Sequence, residues 1–179
     1  MPDLVFQAFL ERQKMQASGL NAAGSLVNVA PIPSQATLPQ HYLLDFRCKG
    51  LIRTAPGKIV EAEQFSVGVF FPAHYLRKPC SFESLTWLAP LGCLHPNIAP
   101  PFICVGDAFM SSSPGLVEIV HQLHQMITFA KFSTRDALNG EAAQWARRNL
   151  HRFPVDRRPL RGRRFDIQRH AATKEEVRL

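Results

Sequence analysis

The segment from residue 88 to residue 114 carries the side chains of this chain that are best suited to chemistry. It holds five prolines in 27 residues, shows no sustained periodicity and includes His95, Asn97 and Cys104. An irregular stretch of this length inside a compact domain is usually functional. A cysteine can be a nucleophile or a buried structural residue, and the surroundings of Cys104 favour the first. We therefore expect a reactive thiol in this segment.

The four cysteines do not have the pattern of a disulfide framework. Cys48, Cys80, Cys93 and Cys104 are few and widely spaced, so we expect free thiols in a reducing compartment. Cys93 and Cys104 together with His95 would suggest a metal site, but no paired C-x-x-C accompanies them. We therefore expect no metal and no cofactor, and we interpret the other three cysteines as structural.

Strands with one apolar face precede this segment. Residues 41–50 and 63–71 each place four apolar side chains on one face, namely Tyr42, Leu44, Phe46 and Cys48, then Phe65, Val67, Val69 and Phe71. Period-two alternation with a single apolar face predicts an antiparallel sheet that is covered on one side. Residues 81–88 are a weaker third strand, and residues 26–30 are a short strand within a linker of residues 19–40.

Helices flank the sheet in the sequence. Asp3 opens the first, which we expect to end near Ser18-Gly19 and whose apolar face is Val5, Phe6, Phe9 and Leu10. After the irregular segment, Ser113 as N-cap and Pro114 as first residue predict a helix with the apolar stripe Leu116, Ile119, Val120, Leu123, Met126 and Ile127. A last helix follows Asn139. The order helix, sheet, long loop, two helices is an α+β pattern.

The composition is that of a soluble globular protein. The 179 residues suffice for one domain with a sizeable core, and 46% are hydrophobic and 20% charged. No apolar run approaches the roughly 20 residues of a membrane span. Residues 1–9 lack the basic and apolar regions of a secretory signal, so we expect a cytoplasmic protein.

The net charge of +7 belongs to the C-terminal end of the chain. From Arg147 onward there are 11 Lys+Arg and 4 Asp+Glu, which leaves 10 of each in the rest. We therefore place a domain at residues 1–150 and a basic tail at residues 151–179. Such a tail could bind nucleic acid or an acidic protein surface. No nucleic-acid-binding motif accompanies it, so we interpret it as a solvated extension and do not expect nucleic acid as a partner.

The motifs of the irregular segment resemble those of the ubiquitin-conjugating (UBC) enzymes. The signature of that family is a His-Pro-Asn tripeptide followed by the catalytic cysteine, as in His95-Pro96-Asn97 and Cys104. Phe71–Pro79 is similar to the family's Phe-Pro…Tyr-Pro…Pro-Pro segment. Pro114 is similar to the proline that opens its central helix, and Arg135–Leu138 to the Asp-Pro-Leu segment that follows. A lone His-Pro-Asn would be weak, but four ordered similarities are specific.

This resemblance covers about residues 42–148 and implies a UBC-like fold. Such a fold has an N-terminal helix, a four-stranded antiparallel meander sheet, a long active-site loop and C-terminal helices. The resemblance implies an enzyme that accepts a ubiquitin-like protein from an activating enzyme as a Cys104 thioester and transfers it to a lysine of a target protein. The pattern is most similar to the free-standing conjugating enzymes of bacterial antiphage (Bil) operons, which implies a defence role. Because no apolar run is long enough for a membrane span, we expect no membrane partner.

The resemblance also implies a role for each residue. Cys104 is the nucleophile, because a thiolate both attacks and leaves acyl groups well. Asn97 donates a hydrogen bond to the negative oxygen of the intermediate. Asp136 orients the incoming lysine and assists its deprotonation. His95 and Pro96 hold the loop.

Other interpretations remain open at this point. Asn97 could be a turn residue alone, and Asp136 a surface or capping residue, in which case Asp107 is a weaker candidate. The whole chain could be a non-catalytic relative that binds a ubiquitin-like protein as a scaffold, although such relatives usually lack the cysteine. A nucleic-acid-associated domain would rest on the tail alone.

Overall fold

The computed structural model describes residues 3–34, 36–55 and 57–161, which form helices and short strands. The elements in chain order are α1 (Leu4–Leu20), β1 (Val27–Pro31), β2 (His41–Phe46), β3 (Gly50–Arg53), β4 (Ile59–Ala62), β5 (Phe65–Phe70), α2 (Ser81–Ser84), β6 (Leu85–Ala89), β7 (Ile98–Ala99), β8 (Phe102–Ile103), α3 (Asp107–Met110), α4 (Leu116–Ile127) and α5 (Gly140–Arg148). An N-terminal helix, a four-stranded antiparallel sheet and further helices confirm the predicted α+β class.

The four-stranded sheet has the order β1-β2-β5-β6, and each neighbouring pair is antiparallel. Its strands follow one another along the chain, with the β3–β4 hairpin inserted in the middle. The predicted apolar positions of the two central strands are all buried: Tyr42, Leu44, Phe46, Phe65, Val67 and Val69. The intervening positions are only partly buried or exposed. The prediction of a single covered face is therefore confirmed.

A buried glutamine links the first helix to the helix that later forms one wall of the site. Residues of α1, α4 and the sheet share one hydrophobic core, and all six predicted apolar side chains of α4 are buried. Gln13 Oε1 accepts a hydrogen bond from Leu116 N at 2.7 Å, and its Nε2 donates to Phe9 O at 3.0 Å. The first N–H groups of a helix have no partner within the helix. Gln13 thus caps α4 and fixes where it begins.

The predicted start of α4 was wrong. Its N-cap is Gly115, and Ser113 lies two residues earlier with φ at 50°, in the left-handed region. The carbonyl of Pro114 accepts a hydrogen bond from the Tyr75 hydroxyl at 2.7 Å. This buried contact and the cap from Gln13 override the local signal of Ser113 and Pro114.

Two further predictions need correction. The first helix continues to Leu20, because that residue is fully buried in the core. Val5 was wrongly assigned to its apolar face, since 71% of the residue is exposed. Residues 81–84 form a helical turn, and the strand begins only at residue 85.

The β3–β4 hairpin was not predicted, and it positions the chain just before His95. Arg53 N donates to Gly92 O at 2.7 Å, and Leu94 N donates to Leu51 O at 2.9 Å. A Cβ atom at Gly92 would lie 2.6 Å from Arg53 O, so this close approach requires glycine. Residues 92–94 thereby run along β3 as an added strand-like segment.

The described start of the predicted tail packs on the domain. Leu160 is buried in the main core, and its carbonyl accepts a hydrogen bond from Leu26 N at 2.8 Å. Arg161 forms a bridge with Ser25. Residues 162–179 lie outside the described residues, so the domain boundary at residue 150 stays a prediction.

A buried carboxylate anchors this C-terminal segment. Asp156 accepts hydrogen bonds from Lys49 N at 2.8 Å and from the Arg158 guanidinium at 2.7 Å. Burial alone would raise the pKa of Asp156, but these bonds hold it well below its ordinary value. The carboxylate is therefore ionised at neutral pH and ties the segment to the loop after β2.

Candidate active site

The β7–β8 hairpin explains the spacing between Asn97 and Cys104. Ile98 pairs with Ile103 in this hairpin, so Asn97 and Cys104, the residues on either side of that pair, face each other. Cys104 N donates a hydrogen bond to Asn97 O at 2.9 Å. In antiparallel pairs the Cα atoms of directly opposed residues lie about 4.5–5.5 Å apart, with their side chains on the same face. The spacing therefore brings the carboxamide and the thiol side by side.

The carboxamide of Asn97 has a defined orientation. Ser133 N donates to Asn97 Oδ1 at 2.8 Å. Because a backbone N–H can only donate, the side-chain atom that faces it must be the oxygen. Among the described residues, Asn97 Nδ2 has no hydrogen-bond partner. Asn97 thus holds the loop after α4 through its oxygen and retains a donor on its nitrogen.

His95 is buried beneath this turn. Its Nδ1 accepts a hydrogen bond from Asn97 N at 3.1 Å. Burial lowers the pKa of His95 to about 3, and the main chain of Lys131 opposes that shift only in part. Within the described ranges, His95 Nε2 has no hydrogen-bond partner of normal geometry. A neutral, enclosed imidazole is a poor base at neutral pH, so its geometry suits the holding of the loop.

A second, smaller core supports the turn. It consists of Leu51, Leu94, Phe129, Ala142 and Ala146. The Phe129 ring lies 4.8 Å from the His95 ring and stacks at 4.4 Å on Phe153. Pro96 O accepts a hydrogen bond from Asn139 N at 2.9 Å, and Asn139 is the N-cap of α5, as predicted. The turn is therefore held by β3, by α5 and by the segment that follows α5.

A cleft of about 360 Å³ lies beside Cys104. Its apolar walls are Val105, Ala108, Phe109, Met126 and Phe132, and its polar lining is Asn97, Gln122, Lys131, Ser133 and Asp136. The thiol is half-buried, so a ligand can reach it while the apolar walls exclude part of the surrounding water. The cleft brings together three positions that are distant in the sequence, Asn97, Cys104 and Asp136.

The two acidic candidates differ in position. Asp136 lies on the loop between α4 and α5, lines the cleft and is exposed. Asp107 is the first residue of α3 and is not part of the lining.

Gln122 and Lys131 both line the cleft but were not predicted from the sequence. Gln122 is buried between Ile119 and Met126, at helical spacing from both. A polar residue that interrupts the buried side of an amphipathic helix was the signal available for it. Lys131 lies on an irregular loop, where no periodic pattern marks it.

No protein-family model matches the chain, and no curated protein matches its sequence. Among the described residues, no three His, Cys, Asp or Glu side chains come together as they would around a metal ion. None of the described helices combines the length and apolar character needed to cross a bilayer. The chemical groups that the cleft offers are one thiol, Cys104, the carboxamides of Asn97 and Gln122, and the side chains of Lys131, Ser133 and Asp136.

The four thiols differ in environment. Burial, reinforced by the nearby Asp156 carboxylate, raises the pKa of Cys48 to about 12. Burial also raises the pKa of Cys93. Both thiols stay protonated at neutral pH and are poor nucleophiles. Cys80 is half-buried like Cys104 but lies outside the cleft.

The buried His95 predicts a loss of stability in acid. Its pKa is about 3 in the folded chain and 6.5 ordinarily, so below pH 6.5 the unfolded chain binds a proton that the folded chain does not. The free energy of unfolding is then unaffected above pH 6.5 and falls as the pH drops towards 3. At about 1.4 kcal/mol per pH unit, the loss between pH 7 and pH 4 is about 3 kcal/mol. The lowered pKa of buried His124 acts in the same direction.

Urea unfolding at pH 7 and pH 4 measures this loss for the parent and for His95→Asn. The asparagine Oδ1 can still accept from Asn97 N but does not titrate in this range. The variant is expected to lose less stability in acid than the parent, whereas replacement of the exposed His151 by asparagine, away from His95 and His124, is the matched control and should leave the acid loss unchanged. Equal acid losses in parent and His95→Asn would contradict the prediction.

Proposed function

We propose that the chain is a ubiquitin-conjugating-type enzyme with a UBC-like form of the α+β fold. It accepts a ubiquitin-like protein from an activating enzyme as a thioester on Cys104 and passes it to a lysine of a target protein, in bacterial antiphage defence. The observation that carries the proposal is the cleft lined jointly by Asn97, Cys104 and Asp136. These residues occupy the positions that the resemblance to conjugating enzymes assigns to chemistry.

The loading step needs an accessible thiol that is a good leaving group. Cys104 Sγ attacks the carboxyl carbon that is held as a thioester on the activating enzyme, a new C–S bond forms and the old C–S bond breaks. The thiol proton of Cys104 passes to solvent, and the activating enzyme's sulfur leaves as a thiolate. A thioester on sulfur can be attacked again by an amine, with the thiolate as leaving group. The half-buried position of Cys104 at the cleft is consistent with both steps, whereas Cys48 and Cys93 are enclosed.

The discharge step needs a donor for the oxygen that becomes negative. Asn97 Nδ2, which has no hydrogen-bond partner in the described part of the chain, is such a donor, on the residue whose carbonyl accepts from Cys104 N. An oxyanion donor of this kind is typically worth about 10²–10³ in rate. The apolar walls of the cleft favour the neutral form of an incoming amine, because they penalise an ammonium.

Loading with a ubiquitin-like protein tests the proposal. The chain is incubated with ATP, a matched activating enzyme and its ubiquitin-like protein from a bacterial conjugation operon, and the products are separated with and without thiol. We expect a heavier band that disappears on reduction. A non-catalytic scaffold would instead bind the ubiquitin-like protein without any thiol-sensitive adduct, and this outcome would refute the enzyme assignment.

Replacement of Asp136 by alanine is expected to slow discharge most at neutral pH. A free lysine amine has a pKa near 10.4, so roughly one molecule in a thousand or fewer is nucleophilic at neutral pH. A carboxylate helps if it aligns the amine or takes its proton during attack, and this help matters less as deprotonated lysine becomes plentiful. Loading of Cys104 should be little changed, because no lysine takes part.

Single-turnover discharge to free lysine from pH 6.5 to pH 10 measures this effect. Asp107→Ala is the matched control, because Asp107 is an acidic neighbour of the cleft outside its lining. A deficit that is constant with pH would mean that Asp136 only positions the amine. The absence of any deficit would make it a surface residue.

A further inference from the structure

A lysine lies in the same cleft as the proposed nucleophile. Lys131 lines the cleft together with Cys104, and its Nζ donates to Gln122 Oε1 at 2.9 Å. Gln122 Nε2 in turn donates to the carbonyl of Val105, the residue after Cys104, at 3.2 Å. We propose that Lys131 is an internal acceptor, which takes the acyl group from Cys104 when no target lysine occupies the cleft. The inference rests on the proposed thioester at Cys104.

Gln122 acts as a bridge between the two sides of the cleft. It is buried on α4, and both ends of its carboxamide form hydrogen bonds. Its Nε2 donates to the carbonyl of Val105, next to Cys104, and its Oε1 accepts from Lys131 Nζ. A lysine side chain loses about 2 kcal/mol of rotamer freedom when it is fixed in one position. The hydrogen bond to Gln122 offsets part of that cost and keeps the amine within the cleft.

The partner of the amine is a neutral amide rather than a carboxylate. Within the described residues, Lys131 forms no ion pair. A carboxylate partner would stabilise the ammonium form, which cannot attack. A neutral amine still has two N–H bonds, so it can go on donating to Gln122 Oε1 while its lone pair faces the thioester.

The transfer step is balanced without any further reagent. The Nζ lone pair of neutral Lys131 attacks the thioester carbonyl carbon, a C–N bond forms and the C–S bond breaks. Cys104 Sγ leaves as a thiolate, and the nitrogen releases one proton to water. The product is an amide on Lys131, which a thiol cannot reverse.

A small acyl donor tests this step without an activating enzyme. The full chain is incubated at pH 8 with the benzyl thioester of N-acetylglycine, which exchanges onto accessible thiols. We expect the acyl group first on Cys104 in a thiol-labile form and then on Lys131 in a thiol-resistant form, located by mass spectrometry of peptides. Acylation of Lys131 should be at least about tenfold faster than that of exposed Lys58, because an intramolecular reaction has a high effective concentration.

Two variants show whether the acyl group passes through the cysteine. Cys104→Ala should reduce acylation of Lys131 to the rate of Lys58, and Lys131→Arg should let the thioester on Cys104 accumulate. Equal melting temperatures establish that both variants are folded. The proposal is overturned if Cys104 takes up no acyl group, if Lys131 reacts no faster than Lys58, or if Lys131 reacts equally fast in Cys104→Ala. Failure to load a ubiquitin-like protein while this transfer persists would refute the proposed function alone.

Discussion

Replacement of Cys104 by alanine is expected to abolish the thiol-sensitive adduct with a ubiquitin-like protein. The thioester needs a sulfur nucleophile at the cleft, and no other thiol lines it within the described residues. Cys80→Ala is the matched control, because Cys80 is also half-buried but lies outside the cleft. Non-reducing gels of parent, Cys104→Ala and Cys80→Ala after loading measure the effect, with complete loss expected for the first variant alone.

Replacement of Cys104 by serine adds a chemical check. A serine at this position would form an oxygen ester, which resists thiol and is cleaved by hydroxide. An adduct that survives in Cys104→Ala but disappears in Cys93→Ala would contradict the assignment of the nucleophile. An adduct of the parent chain that resists strong thiol would show that the bond is not a thioester.

Replacement of Asn97 by alanine is expected to leave loading nearly normal and to slow discharge onto lysine by about 10²–10³. Loading depends mainly on the thiol and on the activating enzyme. Discharge builds a negative oxygen that Asn97 Nδ2 can stabilise. Single-turnover discharge of the preloaded protein to free lysine separates the two steps.

A second variant is needed because the oxygen and the nitrogen of the Asn97 carboxamide have different roles. Asn97→Ala also removes the acceptor for Ser133 N, so the loop after α4 loses a contact. Asn97→Asp keeps an oxygen acceptor for Ser133 but has no N–H to donate. If donation matters, both variants discharge slowly. If Asn97→Asp discharges like the parent while Asn97→Ala is slow, Asn97 only orders the loop.

The sequence predicts best where local pattern and tertiary packing agree. The strand faces and the stripe of α4 are examples, because every apolar position found the same core. The predicted start of α4 was wrong because the side chain of Gln13, more than 100 residues away, caps the helix. No local sequence pattern indicates this contact. The β3–β4 hairpin was missed because its strands are short and its hydrogen bonds join it to residues 92–94.

The candidate site was predicted unevenly for the same reason. The spacing of Asn97 and Cys104 reflects a hairpin and could be read from a motif. The approach of Asp136 to the same cleft was implied by resemblance alone. Gln122 and Lys131 were not found, because their importance depends on two hydrogen bonds that cross from a helix to two loops. Such contacts result from tertiary packing and produce no periodic pattern in the sequence.

The support beneath the His95–Asn97 turn comes partly from the last described residues of the chain. Phe153 stacks under Phe129, and Leu160 closes the main core beside β1. A chain that is still being synthesised contains Cys104 before it contains Phe153 and Leu160, because both lie about 50 residues further along the chain. Cys104 is therefore made before the residues that support the neighbouring turn and close the main core. A nascent chain that stops before Phe153 lacks the ring that stacks on Phe129, so this support of the turn forms only after residue 153 has been made.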